Sequence, residues 1–173
     1  IDSTVTDSPI HAPSDSTLLW DGVRVLVRML KRAEELSEGI TVIEYRNHQR
    51  VAKNRTRAIR YTRGHDKKAA LYRDLITATQ RTLAYAEHAN MKLCDPRIDP
   101  LASAMWQAQF NHYKPLIESV IDQTERRVFK GEQVPAAQKV VSIFEEHTDI
   151  IVKGCRDVQY GHKINLSTGR SGL

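Results

Sequence analysis

The sequence predicts an α+β fold, with a small sheet built from the two ends of the chain and a large helical block between them. β-branched residues alternate with polar residues over 1–7 and again over 158–166, which is the period of a strand. Between these segments, apolar residues recur at spacings of three and four, which is typical of helices. A first strand so far from its partners indicates a helical insertion between neighbouring strands. We therefore expect a first strand and loop at 1–16, a helical insertion at 17–132 and C-terminal strands at 133–173.

Four helices are predicted within the insertion. Residues 15–17 offer side chains for the N-cap of the first helix, and Gly39 closes it. The second helix is expected over about 45–63, with a thin apolar face, and the third over about 66–93. The side chains expected to face inward from the first three helices are Leu19, Val23, Leu26, Leu30, Ala33, Val51, Ala58, Ile59, Leu71, Leu75, Ala78 and Tyr85.

The fourth helix is expected over about 100–129. Pro115 lies inside it and should bend or interrupt it, because proline lacks the backbone N–H and crowds the preceding turn. The residues in register on its predicted inner face are Leu101, Met105, Ala108, His112, Leu116 and Val120.

Three short β-branched or alternating runs follow the helices. They cover 139–144, 148–153 and 158–166, and each is typical of a strand. The glycines in 167–172 then predict a turn between strands.

The composition favours an anionic partner. The chain has 173 residues with a formal net charge of +5, which makes nucleic acid the first partner to consider. Cys94 and Cys155 show no CxxC spacing, so neither a disulfide framework nor a zinc site is expected, and a reducing cytoplasm fits. No apolar run approaches the roughly 20 residues that span a bilayer, so no membrane partner is expected. The chain also starts and stops in strand-like sequence, which predicts a fragment.

A strongly basic segment lies at 46–73. It contains ten Lys or Arg residues and one acidic residue, Asp66, and Tyr45, Tyr61 and Tyr72 are interleaved with them. On a helix this makes a cationic surface suited to phosphate contacts, with tyrosines available to stack on bases. Two other interpretations stay open: a solvated surface helix, or pairing with acidic residues of the first helix at 34–38. The predicted DNA-binding residues of the segment are Arg46, Arg50, Lys53, Arg55, Arg57, Arg60 and Arg63.

Asp2 is a candidate metal ligand near the start of the first strand. Two-metal phosphoryl transfer needs several carboxylates that converge on Mg²⁺ ions, and strands hold such groups rigidly. The alternative is an ordinary solvated carboxylate at a strand end. Asp7, Asp15 and Asp21 are rivals, and their spacing does not define a metal site.

Two pairs of sequence blocks resemble a known enzyme family. They read FEEHTDIIVKG at 144–154 and DVQYGHK at 157–163, continued by INLSTGRSGL, and at the other end DSTV at 2–5 and DSTLLWDG at 15–22. Together they resemble the DDE-type insertion-sequence transposases of the ISNCY family, at the start of the catalytic domain. The likeness covers both ends and, more loosely, the helical middle.

The resemblance implies an RNase H-like core that uses Mg²⁺ to activate water and then a DNA 3′-hydroxyl for attack on phosphate. Asp2 would be the first catalytic and metal-binding residue, and the other two acidic residues would lie beyond Leu173, so the fragment alone should be inactive. Lys163 lies in a YGHK block similar to a core-strand segment of related transposases, with His162 in place of an aromatic residue, and is a further expected DNA contact. The implied partners are transposon-end DNA, target DNA and other copies of the parent protein.

Two non-enzymatic interpretations remain open from the sequence. One is a helical nucleic-acid-binding module whose function resides in the basic helix. The other is a helical scaffold that binds protein through the apolar face of the first helix. Pairing of residues 1–5 with the 158–166 segment in one sheet would favour the transposase interpretation over both.

Overall fold

Four long helices and a small antiparallel sheet make up the described part of the protein. The computed structural model describes residues 2–7, 13–145, 147–152 and 158–166. The helices lie between the first strand and the other two along the chain, so the protein is rich in helix and has a small antiparallel sheet, in agreement with an α+β class. The elements are β1 (Asp2–Asp7), α1 (Asp15–Leu36), α2 (Gln49–Tyr61), α3 (His65–Lys92), α4 (Pro100–Val128), β2 (Asp149–Ile151) and β3 (Gln159–Leu166).

The sheet joins the two ends of the chain. Its strand order is β1-β3-β2, with both pairings antiparallel. β1 pairs with β3 along its whole length, from Asp2 opposite Leu166 to Asp7 opposite Gly161. β2 pairs with the other edge of β3, where Asp149 is also opposite Gly161. The first strand therefore pairs with the 158–166 segment as expected. The strands that flank the helical block along the chain, β1 and β2, are separated by β3, so the prediction of an insertion between neighbouring strands is wrong.

Helix α1 is the centre of the helical block. Its N-cap is Ser14, one residue before the predicted cap residues 15–17. Ser14 and Thr17 form a capping box: the Ser14 hydroxyl accepts from the Thr17 N–H at 3.2 Å, and the Thr17 hydroxyl accepts from the Ser14 N–H at 3.0 Å. α1 contacts α2, α3 and α4, and its predicted inner residues are buried, among them Leu19, Leu26 and Leu30. Because this face is covered within the chain, the protein-binding scaffold interpretation, which needs it exposed, is wrong.

Helix α2 is shorter than the predicted 45–63. The Asn47 side chain accepts a hydrogen bond from the Gln49 N–H at 2.9 Å, a local turn that competes with helix in the residues before it. At the other end, Gly64 has a φ of +91° between α2 and α3, a backbone conformation that favours glycine.

The buried face of α2 differs in part from the predicted one. Ile59 is buried as expected, but Val51 is exposed, and Ala52 and Thr56 are buried in its place. The Thr56 hydroxyl donates to the Ser16 carbonyl at 3.0 Å, which ties α2 to the first turn of α1. A polar residue therefore lies on the buried face because it has a hydrogen-bond partner there, and an apolarity pattern does not detect this.

The predicted inner face of α4 is wrong over its first half. Leu101 and Met105 are 70% and 62% exposed, and His112 is exposed as well. The residues that face the core are instead Trp106 and Phe110, continued by Ile117, Val120 and Ile121. The Trp106 indole N–H donates to the Met29 carbonyl at 2.8 Å, so the orientation of α4 is linked to a buried polar contact with α1.

Pro115 does not interrupt α4, which is one continuous helix from Pro100 to Val128. A proline in a helix leaves the carbonyl four residues earlier without its usual donor. Here that carbonyl belongs to Asn111, and both residues are exposed, so water can supply the missing hydrogen bond.

The run 139–144, predicted as a strand, pairs with no strand in the part of the chain that the structure describes. The Gln123 side chain of α4 takes the place of one: its carbonyl oxygen accepts from the Val140 N–H at 2.9 Å, and its amide donates to the Val140 carbonyl at 3.3 Å. Val141 and Ile143 are buried against the helices. The β-branched residues of this run are therefore explained by burial, since a glutamine satisfies the backbone that a neighbouring strand would otherwise satisfy.

Several predicted features lie outside the described residues. They include the loop at 8–12, Cys155 and the turn at 167–172. Within the described residues, none of the helices is both long enough and apolar enough to cross a membrane.

Candidate nucleic-acid interface

Most of the basic residues predicted to bind DNA are exposed on or beside α2. Arg55 is the exception, because it is half-buried. The exposed ones are Arg46, Arg50, Lys53, Arg57, Arg60 and Arg63.

Four of these residues form a single row along α2, which we call the α2 stripe: Arg50, Lys53, Arg57 and Arg60. Their spacings of three, four and three place them on one side of a helix. From Arg50 to Arg60 the helix rises by about 15 Å at about 1.5 Å per residue. The buried residues of α2 lie on a different side and pack into the core, so the stripe is held on a rigid element.

The acidic residues of α1 do not neutralise the α2 stripe. Glu35 pairs with Arg32 at 2.9 Å, and Glu34 accepts a hydrogen bond from the Tyr45 hydroxyl at 3.4 Å. Within the described residues, no member of the stripe forms an ion pair. The stripe therefore presents four positive charges to solvent, and the proposed pairing with residues 34–38 does not occur in the described part of the chain.

Only one of the three interleaved tyrosines is well placed for stacking. Tyr61, at the end of α2, is 75% exposed. Tyr45 and Tyr72 are partly buried against the core cluster. Burial is the main reason why the pKa of Tyr72 is raised above its usual value, with the Asp15 carboxylate as a second cause.

A second cationic cluster lies in a cavity of about 350 Å³ between α2 and α3. It contains Arg46 and Arg55 from the basic segment together with Arg81 and Asp74 of α3 and His48. Arg81 was missed in the sequence because it lies outside the basic run, and only the packing of α3 against α2 brings it beside Arg46. No local pattern in the sequence signals this.

Asp2 and Lys163 both lie in the sheet. The backbone of Asp2 pairs with Leu166, and that of Lys163 pairs with Val5 on the neighbouring strand. The positions of their side chains are outside the described part of the chain. The two residues are therefore on adjacent strands, and Lys163 is opposite a position three residues along β1 from Asp2.

The rival carboxylates Asp15 and Asp21 already have structural partners. Asp15 is buried and accepts hydrogen bonds from Arg127 at 2.9 and 3.0 Å and from Gln123 at 3.1 Å. Asp21 is also buried and pairs with Arg24 at 2.9 Å. Asp15 therefore joins α1 to α4, whereas Asp21 pairs within α1, and both are poorly placed to bind a metal.

Any Mg²⁺ site within the described residues would have fewer than three His, Cys, Asp or Glu ligands. Among them, no group of three or more His, Cys, Asp or Glu side chains is arranged to hold a metal ion. A Mg²⁺ site that used Asp2 would need carboxylates that this part of the chain does not bring together.

Comparisons with protein-family models, with curated proteins and with solved structures found no significant match to this chain.

Proposed function

We propose that this chain is part of a DDE-type transposase catalytic domain and that it binds the DNA backbone through the α2 stripe. The observation that carries the DNA-binding part is the row of four exposed cations that no described acidic residue neutralises. A DNA strand carries one phosphate per about 3.4 Å of helix axis, so a row about 15 Å long can reach about four phosphates. Tyr61 at the end of the row adds an exposed aromatic ring for stacking on a sugar or an unpaired base.

The transposase part of the proposal is supported by the pairing of β1 with β3. An RNase H-like sheet that carries a helical insertion requires strands from both sides of the insertion to be neighbours, and β1 and β3 are neighbours. In this proposal Asp2 is a metal ligand and Lys163 contacts DNA. The other carboxylates of the Mg²⁺ site would come from residues that this chain does not supply.

The DNA-binding proposal is tested by removing the α2 stripe. The variant R50Q/K53Q/R57Q/R60Q keeps the length and polarity of most of the side chains but removes four positive charges. A matched control, R28Q/K31Q/R32Q/K130Q, removes four exposed charges, three from α1 and one from just after α4. Binding to a labelled duplex is measured by fluorescence anisotropy over a range of salt concentrations.

The expected result follows from counterion release. Each phosphate contact contributes about −0.9 to the slope of log K against log salt, so four contacts contribute about −3.6. The stripe variant should lose most of that slope, and the control should keep it. Equal losses in both variants would show that the binding is a property of the net charge, and the stripe would then have no special role.

The catalytic part is tested in a chain that also carries the remaining acidic residues. Asp2→Asn should abolish Mg²⁺-dependent strand cleavage and leave duplex affinity unchanged, because it removes a metal ligand far from the stripe along the chain. Asp7→Asn, on the same strand, is the control and should retain cleavage. Wild-type cleavage by the Asp2→Asn protein would refute the assignment of Asp2.

A second candidate function is a non-enzymatic nucleic-acid-binding module. The observation that favours it is the position of the stripe, whose four residues all lie on one helix that packs within the helical block. Both proposals predict binding that weakens with salt. They differ in cleavage: a binding module would show duplex affinity that depends on the stripe and no Mg²⁺-dependent cleavage in the extended chain.

A further inference from the structure

The cavity between α2 and α3 is distinct from the α2 stripe. Arg55 projects from a different side of α2 than the stripe residues, since at about 100° per residue it lies about 140° or more around the helix from each of them. The cavity also adjoins the first turn of α2, because both the N-cap residue His48 and Val51 line it. Backbone N–H groups of a first helical turn lack partners within the helix and carry partial positive charge, which favours a bound anion.

The charges in this cavity are unbalanced. Its lining contains three guanidinium groups and one carboxylate, which leaves two positive charges when His48 is neutral. The single carboxylate, Asp74, lies 3.1 Å from Arg55 Nε. Arg46 and Arg81 form no ion pair with any residue in the described ranges. Two arginines therefore face one cavity, and neither has an ion-pair partner in the described part of the chain.

A buried hydrogen-bond donor is also left over beside the cavity. Arg55 Nε is buried and makes no hydrogen bond within the described residues, since the alignment with Asp74 is unfavourable despite the short distance. Buried donors in folded proteins are nearly always satisfied. The Arg55 guanidinium is therefore held by its charge partner Asp74 and not by a hydrogen bond at Nε.

His48 is held in a defined orientation at the cavity wall. Its side chain stacks on Tyr85, and its Nδ1 lies 3.0 Å from the Thr82 hydroxyl. That hydroxyl donates to the Ala78 carbonyl at 2.7 Å, so its oxygen accepts from His48, and Nδ1 carries the proton. The remaining nitrogen, Nε2, is then the acceptor of the neutral ring, and it becomes a donor when the ring is protonated.

We propose that this cavity is a phosphate-binding site in which Arg46 and Arg81 are the principal ligands. The first turn of α2 adds to the positive electrostatic potential in the cavity. The arginine guanidinium matches the oxygens of a phosphate group with several parallel donors. The cavity volume lies near the lower end of the range for small-molecule sites, about 300–1,000 Å³, which leaves room for a sugar beside the phosphate. The site takes a phosphate group from either of two sources, a nucleic-acid strand or a free phosphate.

The proposal does not require that the α2 stripe bind DNA, so the two can fail separately. Inorganic phosphate is the probe, and its binding to the whole chain is measured by isothermal titration calorimetry at constant ionic strength. The cavity variant is R46Q/R81Q. The matched control, R28Q/R32Q, removes the same charge from exposed positions on α1, and circular dichroism checks that both proteins keep their helices.

The cavity variant should bind phosphate at least about tenfold more weakly than the wild-type chain, and the control should bind it as the wild type does. Equal weakening in the two variants would overturn the proposal, because it would show attraction by net charge. Absence of saturable phosphate binding to the wild-type chain would overturn it as well.

Two duplexes then distinguish the sources of the phosphate. If the site takes the end of a strand, a 5′-phosphorylated duplex should bind more tightly than the same duplex with a 5′-hydroxyl, and R46Q/R81Q should remove the difference. If the site takes a backbone phosphate, R46Q/R81Q should weaken both duplexes equally. If the site takes free phosphate only, R46Q/R81Q should leave the affinity for both duplexes unchanged and should still weaken the binding of inorganic phosphate.

Discussion

Replacing Gln123 with methionine tests how the segment that leads to β2 is held on the helices. Gln123 is buried in α4 and makes three hydrogen bonds, two to the Val140 backbone and one to the Asp15 carboxylate. Methionine has a similar length and is apolar, so Gln123→Met removes the hydrogen bonds and keeps most of the packing. Arg127 still contacts both oxygens of Asp15, so the carboxylate is not left without a partner.

The expected loss of stability follows from these three contacts. Each bond to the backbone contributes about 1 kcal/mol, and the bond to the charged carboxylate contributes about 1.5–3 kcal/mol. Because Val140 is only half-buried, water can replace part of what is lost there. We expect the free energy of unfolding to fall by about 2–4 kcal/mol.

Urea denaturation measures this loss, and hydrogen exchange locates it. The Val140 amide should exchange faster in Gln123→Met, whereas amides in the middle of α1 should change only as much as global stability changes. Gln80→Met, at an exposed position on α3, is the control and should alter stability by less than about 0.5 kcal/mol. A loss below about 0.5 kcal/mol in Gln123→Met, with normal protection of Val140, would refute the claim that this side chain replaces a strand partner.

Three further predictions concern the core and the titratable groups. Leu30→Ala should lower the free energy of unfolding in urea by about 2–5 kcal/mol, because Leu30 is fully buried, whereas Leu101→Ala should change it little because Leu101 is exposed. Burial and then the neighbouring arginines lower the pKa of His48 below 6.5, so at a pH below about 6.5 the unfolded chain binds more protons than the folded chain does. The free energy of unfolding should therefore decrease as the pH falls through this range. A His48→Gln protein should show a weaker pH dependence in urea melts. A hydrogen bond from Arg97 lowers the pKa of Asp95 to about 2, and Arg97→Gln should raise it toward 3.8 in an NMR titration; an unchanged Asp95 pKa would contradict this cause.

The two cationic surfaces of α2 differ in what they can recognise. The α2 stripe is a row of exposed charges, and such a row fits a repeating backbone and tolerates small shifts along it. The cavity holds Arg46 and Arg81 against an oriented histidine, and such an arrangement fits a single group. Charge-matched control variants are needed for both surfaces, because the loss of positive charge at any position would weaken both kinds of binding.

The sequence by itself determined the features that depend on local pattern. The inner face of α1, with Leu19, Leu26 and Leu30, follows directly from its 3.6-residue period, and the two long strands follow from alternation. The basic character of α2 is likewise a matter of composition. These features need no knowledge of what lies across from them, which is why a single segment is enough to predict them.

Only the tertiary structure decided which of two possible faces α4 turns inward and what residues 139–145 pair with. Periodicity predicts which residues share a face of a helix, but the element packed against the helix determines which face is buried. In α4 the buried face includes Trp106, whose indole N–H is hydrogen-bonded to α1. Two arrangements bring together residues that are distant along the chain: the hydrogen bond between Gln123 and Val140, and the cavity that Arg46 and Arg81 both line. Such contacts form only after the helices have packed, since they depend on the distances between elements and not on the order of residues within one.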